Sequence, residues 1–357
     1  MADRKHIAIV IALTLCSCAQ EQDPAYQGII TPPVDKPFER LSQYNLFEPP
    51  LRNLQPWLGP NPKLVAYDLN TPLFSDYAKK ERFVYVPFER TATYKASGVF
   101  DFPSGTVLVK NFYYERLGGK NLLETRLLIR YEAEWKAYAY VWNEDQSDAQ
   151  LTVGGAELEV PRPGVAEGTF AYHVPNQNEC KSCHSFNGKL SPIGPTAGNL
   201  NRTIALEGRS DNQLDVWTGY GLLSGIASSE DATQYPVWDD PSSGSLDDRA
   251  RVYLDVNCGH CHRREGTANN TGLYLNIEER DPTRNGFCKQ PIAAGPGSGG
   301  RSYDVVPGQP DQSILLYRME SVEPASRMPE LGRELVHTEG VELIRQWIAS
   351  LDPDTCN

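Results

Sequence analysis

The sequence predicts a multidomain α+β fold, and three observations lead to this prediction. Residues 51–165 contain runs of β-branched and aromatic residues separated by turn signals, which favours a β-rich domain. Residues 246–357 end in apolar residues at helical spacing, which favours a helical domain. Between them, residues 166–245 contain a Gly-, Pro- and Asn-rich loop and a short cysteine motif that recurs at residue 258.

Residues 1–17 have the pattern of a bacterial signal peptide: a basic start, a short apolar run and a small-residue site. The end of this segment resembles a lipobox, which makes Cys18 the acylated first residue of the mature chain. Cys16 is unusual in that pattern, so ordinary cleavage near Ala19 stays open. Residues 18–50 are expected to be a tether. The expected location is the periplasm or cell surface, as an outer-membrane lipoprotein.

The β-rich domain is expected over residues 51–165. The strand-like runs 123–131 and 135–142 are separated by three residues, which predicts a hairpin. The region contains no His or Cys, so it offers no obvious iron ligand. Its many aromatic residues indicate a packed core, and a surface that covers a cofactor or receives a partner is the alternative.

A Cys-x-x-Cys-His motif occurs twice, at residues 180–184 and 258–262. Cys and His are scarce, with 8 and 6 in 357 residues, so two chance occurrences are not expected. The motif is typical of covalent c-type haem, in which both thiols form thioethers and the His becomes the proximal iron ligand. The alternatives are a zinc ribbon, whose cysteine pairs usually lie about 15–20 residues apart, and a redox dithiol, which needs no following His. The predicted haem-binding residues are Cys180, Cys183 and His184 for the first haem, and Cys258, Cys261 and His262 for the second.

The first haem is expected within residues 166–245, and the second within an all-α, cytochrome c-like domain over residues 246–357. Ser245 and Asp248 fit a capping box, which predicts a helix that leads into the second motif. Apolar residues between Val341 and Leu351 predict a last helix. Packing of these two helices would enclose the second haem.

The distal ligands decide whether the irons carry electrons or bind a small molecule. For the second haem we predict Met328, which lies in a non-helical stretch stiffened by Pro329. Met319 lies in a helix-like apolar run, where a core role is the better explanation. For the first haem, His173 is the candidate axial ligand nearest to Cys180. A ligand from farther along the chain and an open iron site are the alternatives.

Two cysteines, Cys288 and Cys356, are left once the signal, lipid and haem cysteines are assigned. In an oxidising compartment they are predicted to form a disulfide that ties a loop to the C-terminus. The formal net charge of −12 disfavours nucleic-acid binding and permits a basic redox partner.

Six short segments carry a resemblance to a known family: residues 105–110, 140–144, 175–184, 199–202, 258–262 and 327–329. With them, the chain resembles a family of bacterial dihaem c-type cytochromes of unassigned role, often encoded beside a parallel β-helix repeat protein. The C-terminal part alone is similar to class I cytochrome c domains, where Met328 matches the distal Met. The resemblance covers most of the mature chain and implies haem c, electron transfer and a redox partner at the surface or in the periplasm.

The function that the sequence favours is electron transfer by a periplasmic dihaem c-type cytochrome to an unidentified redox partner. The alternative is a peroxidase-like dihaem oxidoreductase, in which an open first haem at His184 is the catalytic site. A third class is a binding module, in which the aromatic β-rich domain docks a partner. An electron carrier is favoured over a substrate-converting enzyme, and no catalytic residue is assigned.

Overall fold

The computed structural model describes residues 28–56, 64–116, 118–165, 167–206, 209–292 and 294–356. The predicted signal peptide, residues 1–17, and the predicted lipidation site Cys18 lie outside the described residues. None of the helices in the described part of the chain combines the length and apolar character that a membrane crossing requires.

The strands of the described residues occur in two groups along the chain. Before the first cysteine motif they are β1 (Leu64–Tyr67), β2 (Lys79–Tyr85), β3 (Ala92–Thr93), β4 (Val107–Arg116), β5 (Gly119–Arg130), β6 (Trp135–Trp142), β7 (Ala149–Thr152), β8 (Ala156–Pro161) and β9 (Thr169–Val174). After it they are β10 (Ser185–Phe186), β11 (Lys189–Leu190), β12 (Thr203–Leu206), β13 (Arg209–Asn212) and β14 (Leu223–Ser224).

Six of these strands form one antiparallel sheet in the order β1–β2–β4–β5–β6–β7. The predicted hairpin is confirmed, because β5 and β6 pair from Glu124↔Val141 to Arg130↔Trp135 around a short turn. Strands β8 and β9 form a separate antiparallel ribbon that leads into the first motif. Strand β14 pairs in parallel with β3, so the chain after the first motif returns to the sheet region.

The helices of the described residues are short. They are α1 (Gln177–His184), α2 (Ala197–Leu200), α3 (Gln213–Gly219), α4 (Leu246–Leu254), α5 (Ile314–Glu320) and α6 (Thr338–Ser350). Helix α4 begins with the predicted capping box, in which Ser245 Oγ accepts a hydrogen bond from Asp248 N (3.1 Å). The predicted last helix corresponds to α6, which buries Ile344, Trp347 and Ile348.

The predicted fold class is wrong. The chain is β-rich around a six-stranded antiparallel sheet, and residues 246–357 do not form an all-α, cytochrome c-like domain. Only α4, α5 and α6 lie in that range, and most of its other described residues form loops and single 3-10 turns. The reason lies in residues 263–311, which are rich in Gly, Pro and charged side chains and lack the apolar periodicity that a helix needs to pack.

One face of the sheet is covered by the segment that precedes it. Leu41, Tyr44 and Leu46 are at most 1% exposed and pack against sheet residues such as Val107 and Leu127. The hydroxyls of Tyr44 and Tyr140 lie 2.7 Å apart in this core. The second half of the predicted tether, residues 18–50, is therefore part of the folded body, because its apolar residues bury more surface than a solvated linker could.

The other face of the sheet packs against the chain that follows the first motif. Val84 and Leu108 share a core with Leu200, Leu214 and Trp217, and Trp217 is fully buried. A glycine at position 198 is required here, because a Cβ would lie 2.3 Å from the ring of Tyr235. Contacts therefore cross the predicted boundary at 165/166, and the domain boundaries themselves stay predictions.

Shortening a buried valine of the sheet tests this account of the core. Val107 is fully buried in β4, so Val107→Ala is expected to lower the free energy of unfolding by about 2 kcal/mol, through lost methyl burial and the cavity left behind. Val153→Ala is the matched control, because Val153 is 58% exposed and its change should be close to zero. Urea unfolding measures both free energies of unfolding, and an equal decrease in the two variants would contradict the buried position of Val107.

Candidate functional site

The first Cys-x-x-Cys-His motif lies on helix α1. The Asn176 side chain caps this helix by accepting hydrogen bonds from the backbone N–H of Asn178 (2.9 Å) and Glu179 (3.0 Å). The Glu179 carboxylate accepts in return from Asn176 N (2.8 Å), which completes a capping box. Helix α1 packs against strand β6 of the sheet. The cap and this packing together fix the positions of Cys180 and Cys183.

His184 is the last residue of α1 and lines the same cavity as the two cysteines. Its Nδ1 lies 2.9 Å from the backbone carbonyl oxygen of Ser191. Because a carbonyl only accepts, Nδ1 carries the proton and Nε2 is left as the donor to a metal, as is usual for ligating histidines. Burial lowers the pKa of His184 to about 4, so the ring is neutral at pH 7.

The second motif follows α4, whose helical path continues through a π-helical turn over Asp255–Gly259. His262 Nδ1 lies 3.4 Å from Thr271 Oγ1, and the backbone of Leu273 also bonds to the ring. Burial lowers the pKa of His262 as well, which favours the neutral ring. Both motif histidines are therefore half-buried, favoured in the neutral form and held at their Nδ1 side by the chain that follows them.

The two motifs are in contact with each other. The ligand atoms of Cys183, His260 and Cys261 all lie within 4.8 Å of one another. Thr267 Oγ1 donates a hydrogen bond to the backbone carbonyl oxygen of Ser182 (2.9 Å), which joins the two segments beside the sulfurs. The structure thus brings together two motifs that lie far apart in the sequence.

The contact between the sulfurs changes their acidity. The hydrogen bond between Cys183 and Cys261 raises the pKa of the Cys183 thiol and lowers the pKa of Cys261. The two shifts have opposite directions because both arise from one hydrogen bond shared between neighbouring sulfurs. Cys180, Cys183, Cys258 and Cys261 all have free thiols, as thioether formation requires.

Two adjoining cavities surround the motifs. The first pocket is lined by the first motif and by the sheet face, and its members include Cys180, Cys183, His184, Leu108, Lys110 and Arg126. The second pocket is lined by the second motif and by the C-terminal segments, and its members include Cys258, Cys261, His262, Leu315, Met319 and Met328. Cys183, Cys258 and both methionines line both cavities. His184 therefore lines the first cavity and His262 the second, and the two cavities adjoin along residues that belong to both motifs.

Met328 lines the second pocket together with His262, and its role as a distal ligand stays a prediction. Its loop is fixed by Arg333, which is 4% exposed and donates to the backbone carbonyl oxygen of Met328 from Nε (3.1 Å) and from a terminal nitrogen (2.8 Å). Met328 N donates to the carbonyl oxygen of Arg318 (2.8 Å). Met319 is 6% exposed within the core of the C-terminal helices, which agrees with its predicted core role, although it also borders both pockets.

The loop between β1 and β2 connects the sheet to the Met328 segment. Asp76 is 2% exposed, and its Oδ1 accepts hydrogen bonds from the backbone N–H of Glu334 (2.8 Å) and Leu335 (2.7 Å). Two residues earlier, Phe74 N donates to Asn257 Oδ1 (2.9 Å), next to the second motif. Burial raises the pKa of Asp76 to about 6, in spite of the two N–H donors.

The structure does not bring His173 to either pocket. Its ring nitrogens contact two carboxylates, with Nδ1 2.5 Å from Glu157 and Nε2 3.0 Å from Glu179. These carboxylates raise its pKa, so that the charged ring is favoured rather than the neutral ring that ligates iron. The candidate role of His173 as an axial ligand is therefore not supported, because its neighbours hold it as an ion-pair partner.

The predicted disulfide between Cys288 and Cys356 falls partly outside the described residues. Cys288 takes part in a disulfide. The side chain of its predicted partner, Cys356, is outside the described part of the chain, so the pairing stays a prediction.

The sequence-based reasoning missed a row of cations on the sheet face. Arg82, Lys110 and Arg126 occupy paired positions on β2, β4 and β5, and all three line the first pocket. The signal available in the sequence was Lys110, which directly follows the apolar run 107–109. It could not show that two arginines from neighbouring strands would stand beside it, because register depends on pairing.

The donor set fits covalent haem. Four free thiols stand in two Cys-x-x-Cys-His motifs, each followed by a neutral, oriented imidazole, and each motif opens on a mainly apolar cavity. The comparisons with known proteins add nothing to this, since the chain matches no known family model, no curated protein and no solved structure.

The buried carboxyl of Asp76 predicts a pH dependence of stability. The pKa of the Asp76 carboxyl is raised in the folded state. Its contribution to the free energy of unfolding is therefore fully present below the ordinary pKa of 3.8 and is lost as the pH rises through about 6. Asp76→Asn keeps the acceptor oxygen and removes the charge. Between pH 4 and pH 7 its free energy of unfolding should therefore rise, relative to that of the parent, by on the order of 2 kcal/mol. Urea unfolding at several pH values measures this.

The control for this experiment is Asp239→Asn, which changes an exposed aspartate and should leave the pH profile of stability unaltered. A stability profile of Asp76→Asn that runs parallel to the parent from pH 4 to 7 would show that Asp76 is not buried as described.

Proposed function

We propose that this protein is a dihaem c-type cytochrome that transfers electrons. The single observation that carries the proposal is the convergence of two Cys-x-x-Cys-His motifs, each with a neutral histidine anchored through Nδ1 beside its own cavity. Haem, when bound, supplies one-electron chemistry at iron, which no side chain of the site could supply alone.

The residues divide between the two haems by position. Cys180 and Cys183 would hold the first haem covalently and His184 would be its proximal ligand. The second haem would be held in the same way by Cys258, Cys261 and His262, with Met328 as the distal ligand. The bonds from Arg333 to the Met328 carbonyl support this last role, because they fix the backbone that carries the thioether.

The contact between the motifs supports electron exchange between the haems. Cys183 and Cys261 would each carry a thioether at the edge of its haem, and their sulfurs lie within 4.8 Å. Two haems attached at these sulfurs would therefore approach each other at their edges. Such proximity suits a carrier that passes electrons through both centres, and it equally suits the alternative of a peroxidase-like oxidoreductase whose first iron is open.

The same proposal implies where the protein is located and what kind of partner it has. Haem c and the predicted signal peptide agree with a periplasmic or cell-surface protein, anchored to the outer membrane by lipid at Cys18. The resemblance to dihaem cytochromes suggests a redox partner protein, whose identity is open. The net charge of −12 favours a partner with a basic face, and not nucleic acid.

A second candidate function rests on the cluster itself. Cys183, His260 and Cys261 have the ligand types that zinc prefers. Zinc in structural sites takes four ligands, and the cluster offers three among the described residues, so haem fits the whole donor set better. Metal analysis of protein made without haem-maturation factors tests this candidate, and one tightly bound zinc per chain would support it.

Removing the predicted thioether ligand of the second haem tests the proposal. The mature protein made with haem-maturation factors is expected to carry two covalent haems by intact mass. Met328→Ala should keep both haems and lower the midpoint potential of one of them by about 100 mV or more, because a Met/His pair raises the potential. Spectroelectrochemical titration measures the two potentials.

Met319→Leu is the control, because it conserves volume in the core and should move neither potential by a comparable amount. Protein without covalent haem would end the cytochrome proposal. A potential that falls in Met319→Leu and not in Met328→Ala would instead reassign the ligand.

A further inference from the structure

Three cations stand in register on the sheet face that borders the first pocket. Strand pairing places Lys110 opposite Arg82 on one side and opposite Arg126 on the other. The three residues project to the same face and all line the pocket that contains His184. The Phe112 ring lies beside this row, 4.8 Å from Lys110 Nζ and 4.4 Å from the Arg126 guanidinium.

The two arginines already have counter-ions. Arg82 contacts Asp68 at 2.9 Å, and Arg126 Nε donates to Glu124 at 2.7 Å. Glu124 is fully buried, so this second pair is well shielded from solvent. Each arginine is therefore held as a charged, paired group, and neither carboxylate serves Lys110.

Lys110 differs from its neighbours. Within the described residues, the Lys110 amine has no hydrogen bond and no ion pair, and its contact is the face of Phe112. Burial, followed by the positive charges of Arg82 and Lys80, lowers its pKa well below the ordinary range. The partial exposure that Lys110 keeps is consistent with a side chain that borders the first pocket. An amine in this setting is favoured as the neutral form, whose lone pair can bind a metal.

The other histidines and the methionines at the first pocket are committed elsewhere. His337 Nδ1 lies 2.9 Å from the Tyr253 hydroxyl, its ring stacks on Phe74 at 4.1 Å, and Nε2 faces the exposed Glu339 at 3.9 Å. His260 Nδ1 bonds to the backbone of its own helix. Met328 is assigned to the second haem, and Met319 is packed in the helical core.

We propose that Lys110 is the distal axial ligand of the first haem, paired with His184 across the iron. The inference rests on the dihaem proposal and deepens it, because it assigns the ligand that the first motif lacks. The geometry that carries it is an unpaired amine on the sheet face that lines the same cavity as His184, whose Nδ1 is anchored to the Ser191 carbonyl oxygen. With both axial positions filled by protein, the first haem would be a six-coordinate electron carrier rather than an open catalytic site.

The test begins with the unaltered protein, so that it does not depend on a variant that folds. Near-infrared magnetic circular dichroism of the fully oxidised dihaem protein reports the axial pair of each low-spin iron. We expect two bands, one for histidine with thioether and one for histidine with amine. A first haem with a bis-histidine or a second histidine–thioether signature would overturn the proposal, as would a high-spin first haem.

Two substitutions then separate ligation from charge. Lys110→Ala removes the donor, and Lys110→Arg keeps the positive charge but cannot ligate, because a guanidinium stays protonated. If Lys110 ligates iron, both variants keep two covalent haems, convert one of the two from low spin to high spin, and bind about one carbon monoxide per reduced protein. If Lys110 instead neutralises a haem propionate, Lys110→Arg stays low spin, and the proposal is wrong.

The matched control is Lys80→Ala, which removes an amine on the same sheet face that donates to the Leu73 carbonyl oxygen (3.0 Å). It should leave both spin states and the binding of carbon monoxide unchanged. Haem content by the pyridine haemochrome assay separates the two proposals: a protein without covalent haem defeats the dihaem proposal, whereas two haems with unchanged spectra in both Lys110 variants defeat only the ligand assignment.

Discussion

The contact between the two Cys-x-x-Cys-His segments is the constraint on which the rest of the site depends. It is made by the sulfurs of Cys183 and Cys261 and is supported by two backbone-directed bonds, from Thr267 to Ser182 and from Asn187 to Glu265. Because each motif also carries an anchored histidine, fixing the two segments together fixes the relative position of two potential iron centres. The two cavities share lining residues of both motifs, among them Cys183 and Cys258.

The two sides of the site differ in chemistry because they are built by different parts of the chain. The sheet gives the first pocket a wall of strands with a cationic row, whereas the second pocket is walled mainly by the C-terminal segments, with apolar residues such as Ile314 and Leu315. Asp76 joins the two parts through backbone bonds to the segment that follows Met328. An amine ligand on one haem and a thioether on the other would give the two centres different potentials, which sets a direction for electrons between them.

Local features of this protein could be predicted from the sequence, whereas features made by distant pairing could not. The capping box at Ser245, the hairpin of β5 and β6, and helix α6 each depend on a few neighbouring residues, and the structure contains them. The capping box of Asn176 and Glu179 is equally local, because its two residues are three positions apart. The cationic row around Lys110, by contrast, is set by the register of three strands.

The prediction of the fold class failed for a physical reason. The all-α domain was inferred from two helices at the ends of residues 246–357, but the polar, Gly- and Pro-rich residues 263–311 between them fold as loops and 3-10 turns. The bounds of the tether stay a prediction, and within its range Leu41 and Tyr44 supply apolar surface that the sheet buries. Asn201 lies in one of the segments that carry the family resemblance, and its side chain donates to the carbonyl oxygens of Ser229 and Ala232.

The central claim is that the two motifs hold two haems side by side. The most direct measurement is the electron paramagnetic resonance spectrum of the fully oxidised protein, compared with single-haem variants in which the cysteines of one motif are replaced by serine. Adjacent haems interact magnetically, so the account predicts a dihaem spectrum that differs from the sum of the two single-haem spectra. A spectrum that equals that sum would place the irons far apart and would contradict the account.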